Sequence, residues 1–126
     1  MCKKTDYVFS SDPAVALQVY RKKPIFTEKL PEGGILYDFG SEITASLSIT
    51  ALGGSGKTVR ILCGEELEDT PVKVRYDMRC NCLCDEHWIL DDGECKYEQY
   101  DYKAFRYVAV IPESGTEIIS LEAIVR

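Results

Sequence analysis

The chain is poor in the segments that announce several common functions. No apolar run approaches the ~20 residues of a membrane span. Its start, MCKKTDYVFSSDPAV, lacks the apolar stretch of a secretory signal, so the expected location is cytoplasmic. Lys and Arg number 15 against 21 Asp and Glu, a net charge of -6, and the one basic run is Arg21-Lys22-Lys23. An acidic chain with so little clustered positive charge is excluded as a partner for nucleic acid or an anionic membrane. There is a single histidine, His87, and no G-x-S-x-G elbow to present a serine nucleophile. No stretch has a helical apolar stripe, AVALQVY (14–20) being too short to make one.

What is present suits one domain. A chain of 126 residues buries roughly two-thirds of its unfolded surface and needs no disulfide, metal or cofactor to build a core. Period two dominates. In ITASLSITA, Ile43, Ala45, Leu47, Ile49 and Ala51 alternate with Thr44, Ser46, Ser48 and Thr50, which predicts a half-buried strand with one wet face. TVRILC sets Val59, Ile61 and Cys63 on one side, and VKVRYDM predicts a strand over 72–78. KAFRYVAVI and EIISLEAIV add β-branched and aromatic runs, while IFTEK, GILYDF and HWIL are shorter candidates. Turn residues at Pro31 to Gly34, Gly53 to Gly56, Asp69-Thr70-Pro71, Asp91 to Gly93 and Pro112 to Gly115 separate these runs. The expected fold is therefore all-β, a single antiparallel β-sandwich over 25–126 preceded by an extended lead-in over 1–24.

Two motifs suggest other chemistry. Ala51, four residues, then Gly56-Lys57-Thr58 is a phosphate-loop signature. Such a loop needs a helix after it, whose N-terminal N–H groups and dipole hold the phosphates. Here TVRILC follows with strand periodicity, so the glycines are expected to join two antiparallel strands as a hairpin, with Lys57 a solvated strand residue. RCNCLCDEHW offers Cys80, Cys82, Cys84 and His87 as soft ligands. In a strand, residues i and i+4 lie ~13 Å apart, whereas thiolates sharing a zinc sit ~4 Å apart. The expectation is that some of these thiols, with Cys63 and Cys95, are small core hydrophobes and no metal is bound. A disulfide between neighbouring strands, or from Cys2 to a partner chain, stays open.

Glu65-Glu66, Glu68-Asp69, Asp85-Glu86 and Asp91-Asp92 supply acid pairs, and glycosidase chemistry needs two carboxyl groups ~5–10 Å apart across one bond. Pairs in turns are ordinarily solvated surface, so none is assigned a catalytic role. Trp88, the sole tryptophan, and the eight tyrosines could stack a sugar ring if exposed on a sandwich, but Tyr97, Tyr107 and Trp88 lie in strand-like runs, where such residues are more often core.

LQVYRKKPI (17–25), LYDFGSEITASLSITALGGSGKTVRILCGEEL (36–67), MRCNC (78–82) and EQYDYKAFRYVAV (98–110) follow in that order. Together they resemble the concanavalin-like, jelly-roll β-sandwich domain of bacterial α-L-rhamnosidases. The chain departs from that pattern at Ser41-Glu42-Ile43-Thr44-Ala45 and in the cysteines of 80–84. The resemblance implies inverting glycoside hydrolases whose carboxylates sit in an (α/α) helical toroid that follows this domain. It implies that this chain is a piece of such an enzyme, with no catalytic residue of its own and that toroid as its partner. Asp38-Phe39-Gly40 and Phe105-Arg106-Tyr107 are then structural, with Gly40 at an unusual turn and Arg106 paired to an acid. Glu65, Glu66, Arg79 and Trp88 are the residues expected to touch a rhamnose-containing carbohydrate. The alternative is an independent carbohydrate-binding module. A third reading is a metal or redox site at Cys80, Cys82 and Cys84. A face normally covered by the toroid is expected to make the isolated domain self-associate.

Overall fold

A computed structural model of the chain describes residues 18–69 and 72–126. Most of the lead-in, Cys2 and the Thr70-Pro71 turn lie outside the described residues. The strands are β1 (Tyr20–Lys22), β2 (Phe26–Lys29), β3 (Ile35–Gly53), β4 (Thr58–Gly64), β5 (Leu67–Asp69), β6 (Val72–Val74), β7 (Asp77–Met78), β8 (Cys82–Leu83), β9 (Asp85–Ile89), β10 (Gly93–Glu98), β11 (Lys103–Pro112) and β12 (Glu117–Val125). A single 3-10 turn spans Arg79–Asn81, and no α-helix occurs among the described residues.

β3 is the spine. Its first residues pair with β2 on one side and β11 on the other, from Lys29↔Ile35↔Val110 to Phe26↔Asp38↔Tyr107. From Ser48 onward its partners are β12 and β10, as in Leu121↔Ile49↔Tyr97. One strand therefore serves two layers, β2-β3-β11-β4-β9 and β1-β12-β3-β10, and the chain is an antiparallel β-sandwich. The alternating residues Ile43, Ala45, Leu47, Ile49 and Ala51 meet Val59 and Ile61 of β4, Phe105, Val108 and Val110 of β11, and Leu121, Ala123 and Val125 of β12 in one core. A second cluster on the far side of the first layer joins Leu36, Leu62 and Ala109 to Leu30 and Val74. The segment from β5 to β7 thus lies as a flap over that sheet.

The bend between layers is fastened by the two motifs expected to be structural. Gly40 has φ +82°, and a Cβ there would meet Ile25 Cδ1 at 2.7 Å. The β11 register shifts between Phe105 and Tyr107. Across this corner Arg106 grips Asp38 with two bonds, Nε to Oδ1 at 2.9 Å and an Nη to Oδ2 at 3.0 Å. Asp38 Oδ1 also accepts the Gly40 N–H at 2.7 Å. Phe39 and Phe105, both fully buried, pack edge to face with centroids 5.7 Å apart.

Four expectations need correction. The glycines at 53–56 do not form a hairpin: β4 pairs with β11 and β9, not with β3. The second half of β3 already has both edges filled by β12 and β10, so β4 finds no place beside it and the loop arches to the other layer. Lys57 is likewise not a strand residue, since β4 begins at Thr58, and its ammonium donates to the Ser114 carbonyl at 2.8 Å. The wet face of ITASLSITA is drier than its alternation implies. Ser46 and Ser48 are buried, and Arg21 bridges Glu98 and Glu122, the residues that flank Ser48 in register. Finally, the strand expected over 72–78 breaks at Arg75 and Tyr76. The Arg75 N–H donates to the Glu66 carbonyl at 3.0 Å and the Tyr76 carbonyl accepts from Cys84 N–H at 2.9 Å, so those residues are held across the flap and not along it. β10 was absent from the strand candidates, although Cys95 and Tyr97 alternate there with exposed Glu94, Lys96 and Glu98.

Candidate functional site

β9 and β10 belong to different layers, and neither has a second partner strand on its outer side among the described residues. The sandwich is consequently open where these two edges face each other. Core-facing residues at such an edge are only half covered. Trp88, opposite Val59 on β9, and Tyr97, opposite Ile49 on β10, both point inward there. Their rings stand 6.2 Å apart at 53° and pack on the main core. The Tyr97 hydroxyl accepts the Asp91 N–H at 2.8 Å, which fixes the ring against the β9–β10 turn.

Glu86, two residues before Trp88 and so on the same face, closes the mouth. Its carboxylate accepts the Trp88 indole N–H at 2.9 Å and the Gln99 amide at 2.8 Å, and pairs with the Lys103 ammonium. Gln99 in turn bonds β3 through both ends, its side-chain oxygen accepting Leu47 N–H at 2.9 Å and its own N–H donating to the Leu47 carbonyl at 2.8 Å. Above this polar knot lies a cleft of about 480 Å³ lined by Trp88, Tyr97, Gln99, Tyr100, Asp101 and Ile89, among others. Tyr100, 94% exposed, also borders a second hollow with Tyr102 and Arg126. The Arg126 guanidinium sits 5.6 Å from the Tyr102 ring centre. On the outer face nearby, a hydrogen bond from Arg21 holds Glu98 down to about 2. The arrangement offers aromatic faces with amide and carboxylate groups at the rim, the equipment for a neutral, hydroxyl-rich ring.

The four residues expected to touch sugar are not brought together. Glu65, Glu66 and Arg79 line a separate cleft of about 310 Å³ with Arg75 and Met78, under the flap. There Arg75 pairs with Glu66 at 3.2 Å. Trp88 belongs to the cleft at the open edge. Tyr97, Gln99 and Tyr100 were missed. The available signal was EQYDY following an alternating GECKYE, a tyrosine-rich loop at the end of a strand.

The other chemistry-bearing residues have structural engagements. Arg60 makes a double contact to Asp85, 2.9 Å and 2.7 Å, and that bond holds the Asp85 carboxyl below its ordinary value. His87, on the opposite face of β9 from Trp88, is exposed, with Nδ1 3.9 Å from Asp85. Cys63 is buried in the core and Cys84 packs against it, whereas Cys82 is exposed and Cys95 half-buried. The expectation that some thiols serve as core hydrophobes thus holds for Cys63 and Cys84.

Residues 28–124 match the family model for the bacterial alpha-L-rhamnosidase concanavalin-like domain. Among solved structures, an alpha-L-rhamnosidase from Dictyoglumus thermophilum is 26% identical with a TM-score of 0.72; the match covers 84% of this chain and 12% of that one. The native rhamnosidase from Aspergillus terreus is also 26% identical, with a TM-score of 0.65, and 85% of this chain covers 13% of it. A Klebsiella oxytoca rhamnosidase with rhamnose bound shares the fold at 14% identity and a TM-score of 0.65, over 87% of this chain and 29% of that one. No curated protein sequence matches the chain. The chain therefore spans about an eighth of the length of the Dictyoglumus and Aspergillus rhamnosidases.

Proposed function

Since the chain belongs to the bacterial alpha-L-rhamnosidase concanavalin-like domain family, we propose that it is the non-catalytic sandwich domain of an enzyme that hydrolyses terminal rhamnosides. In this reading it braces an adjoining catalytic domain and presents the Trp88–Tyr97–Tyr100 cleft to carbohydrate. The observation that supports the non-catalytic reading is the engagement of the acids. Asp38 and Asp85 are each held by an arginine fork and Glu86 by three donors. An inverting glycosidase needs instead two carboxyls free to face one bond across ~6.5–9.5 Å. The aromatic cleft supports the sugar contact, since a pyranose ring stacks on exposed indole and phenol faces.

Two measurements test the two halves. The purified chain should release no more nitrophenol from an aryl α-L-rhamnoside than buffer does; turnover that survives repurification and follows the chain would overturn the non-catalytic reading. Titration of isotope-labelled chain with L-rhamnose should move the amide signals of 86–89 and 97–101 saturably. Shifts confined to 65–66 and 79 would place the contact in the other cleft. A spectrum flat to high millimolar sugar would leave the bracing role alone.

A further inference from the structure

We propose that Cys63 and Cys84 form a reversible dithiol/disulfide couple, oxidised by a low-molecular-weight disulfide, that staples β9 to β4 and closes the chain around the flap. The proposal goes beyond the functional reading above and does not depend on it.

The register brings the two residues together. Leu62 opposes Asp85 in the β4–β9 ladder, so the next pair is Cys63 and Cys84, and the Cys63 N–H donates to the Cys84 carbonyl at 3.1 Å. Residues opposed in an antiparallel ladder have Cα atoms ~4.5–5.5 Å apart, inside the ~4.4–6.8 Å that a disulfide spans. The side chains also share a face. Cys63 lies within the main core and Cys84 packs against that same cluster.

Access is unequal, which sets the order of events. Cys63 is 2% exposed, while Cys84 is half-buried at the sheet margin. Burial pushes both thiols up, Cys63 to about 12, and the Lys103 ammonium works against that at each. The reachable Cys84 gives up its proton and its thiolate attacks the small disulfide RSSR. A bond forms from Cys84 Sγ to one sulfur, and the other departs as RS⁻ and takes up a proton. Cys63, losing its proton in turn, attacks Cys84 Sγ and expels the second RS⁻. In sum two protein thiols are oxidised, one RSSR is reduced, and two RSH leave. Opposed residues in a sheet have Cβ atoms ~4.5–5.5 Å apart, wider than the ~3.8 Å a relaxed disulfide prefers. The bond must draw the strands together, and a strained disulfide is a readily reduced one. The loop it closes carries Glu65, Glu66, Arg75 and Met78, the walls of the smaller cleft. Oxidation therefore ties that cleft to the sheet, and reduction releases it.

The test uses the full chain, reduced, desalted and kept native, exposed to graded ratios of oxidised to reduced glutathione. Free thiols are then blocked with an alkylating agent and the digest is mapped. A peptide linking Cys63 to Cys84, lighter by two hydrogens and restored by dithiothreitol, is expected as the main product, together with a raised urea midpoint. Cys63→Ala, a small apolar replacement suited to the core, should leave Cys84 as a lasting glutathione adduct that the wild type does not accumulate. Should Cys63→Ala fail to fold, Cys84→Ser at the sheet margin supplies the second variant. It should take up no glutathione at Cys63 and form no link from it. Linkage of Cys84 chiefly to Cys82, Cys80 or a second chain would overturn the proposal. So would a wild-type Cys84 adduct that never resolves, or no oxidation of Cys63 while the fold persists.

Discussion

Gly64, the last residue of β4, is the point at which the flap comes closest to the sheet. A Cβ added there would stand 2.3 Å from the Arg75 carbonyl oxygen and 2.8 Å from Val74 Cγ1. Comfortable separation is ~3.5 Å, so Gly64→Ala requires the flap to retreat by about 1 Å. Val74, 1% exposed, is the side chain that pins the flap into the second cluster. Full burial of a valine is worth ~1.5–3 kcal/mol, and forcing a methyl into a packed site costs ~1–3 kcal/mol. A partial loss of the first together with a mid-range value of the second gives a destabilisation of about 2–3 kcal/mol. With a urea slope of ~1–2 kcal/mol/M for a domain this size, the unfolding midpoint should fall by about 1–3 M. The injury should be local in the native state. Arg75 N–H and Cys84 N–H, which bond to the Glu66 and Tyr76 carbonyls, should exchange faster with solvent, while amides of β10 and β12 should not. Gly56→Ala is the control: its φ is +82° with nothing within 4 Å, so it strains the backbone without touching the flap. A Gly64→Ala chain within ~0.5 kcal/mol of wild type, with those two amides as protected as before, would refute the close packing of flap and sheet.

Other perturbations probe the corner and the core. The hydrogen bond from Arg106 is the main cause that lowers Asp38, against the opposing effect of its burial. A folded value below the unfolded ~3.9 means stabilisation that is present above that pH and lost as pH falls through the folded value. Arg106→Lys cannot reproduce the two-pronged grip. It should lower stability at pH 7 and flatten the acid limb of a stability-against-pH curve; an acid limb unchanged from wild type would count against the fork as its source. Phe105→Ala empties the fully buried partner of Phe39 and should cost about 3–5 kcal/mol by chemical denaturation. A loss below ~1 kcal/mol would show that the two rings are not central to the core.

Strands were legible wherever apolar and β-branched residues ran with period two, and topology was not. ITASLSITA and KAFRYVAVI betray themselves because Ile49 or Val108 faces the main core while its neighbours point to the other side of the sheet, a local property of period two. Which strand lies beside which depends on edges already filled, and no local pattern records that. Hence the 53–56 glycines read as a hairpin, when the second half of β3 had no edge left to offer β4. The flap was hidden for a related reason. Gly64 has an unremarkable sequence context, and its smallness matters only because Arg75, eleven residues later, passes over it. The candidate site was half legible. Trp88 was identifiable as the lone indole, but its cleft is completed by Tyr97, Gln99 and Tyr100 from the other layer, and Glu65 and Arg79 looked equally promising on charge alone.

Several of the acids in this chain serve the geometry of its edges. A sandwich whose spine strand serves both layers has a sharp corner and at least one open mouth, and neither can be closed by apolar packing alone. At the corner a carboxylate accepts both an arginine fork and the Gly40 N–H. At the mouth Glu86 gathers an indole, an amide and an ammonium that would otherwise face each other unpaired. Across the outer face Arg21 spans Glu98 and Glu122 over small serines. Each acid sits where backbone or side-chain donors converge, so its role is architectural before it is chemical. The aromatic cleft differs in kind. Tyr100, 94% exposed, takes no part in the core, and in the proposed reading its ring, beside the half-buried indole, serves a bound sugar.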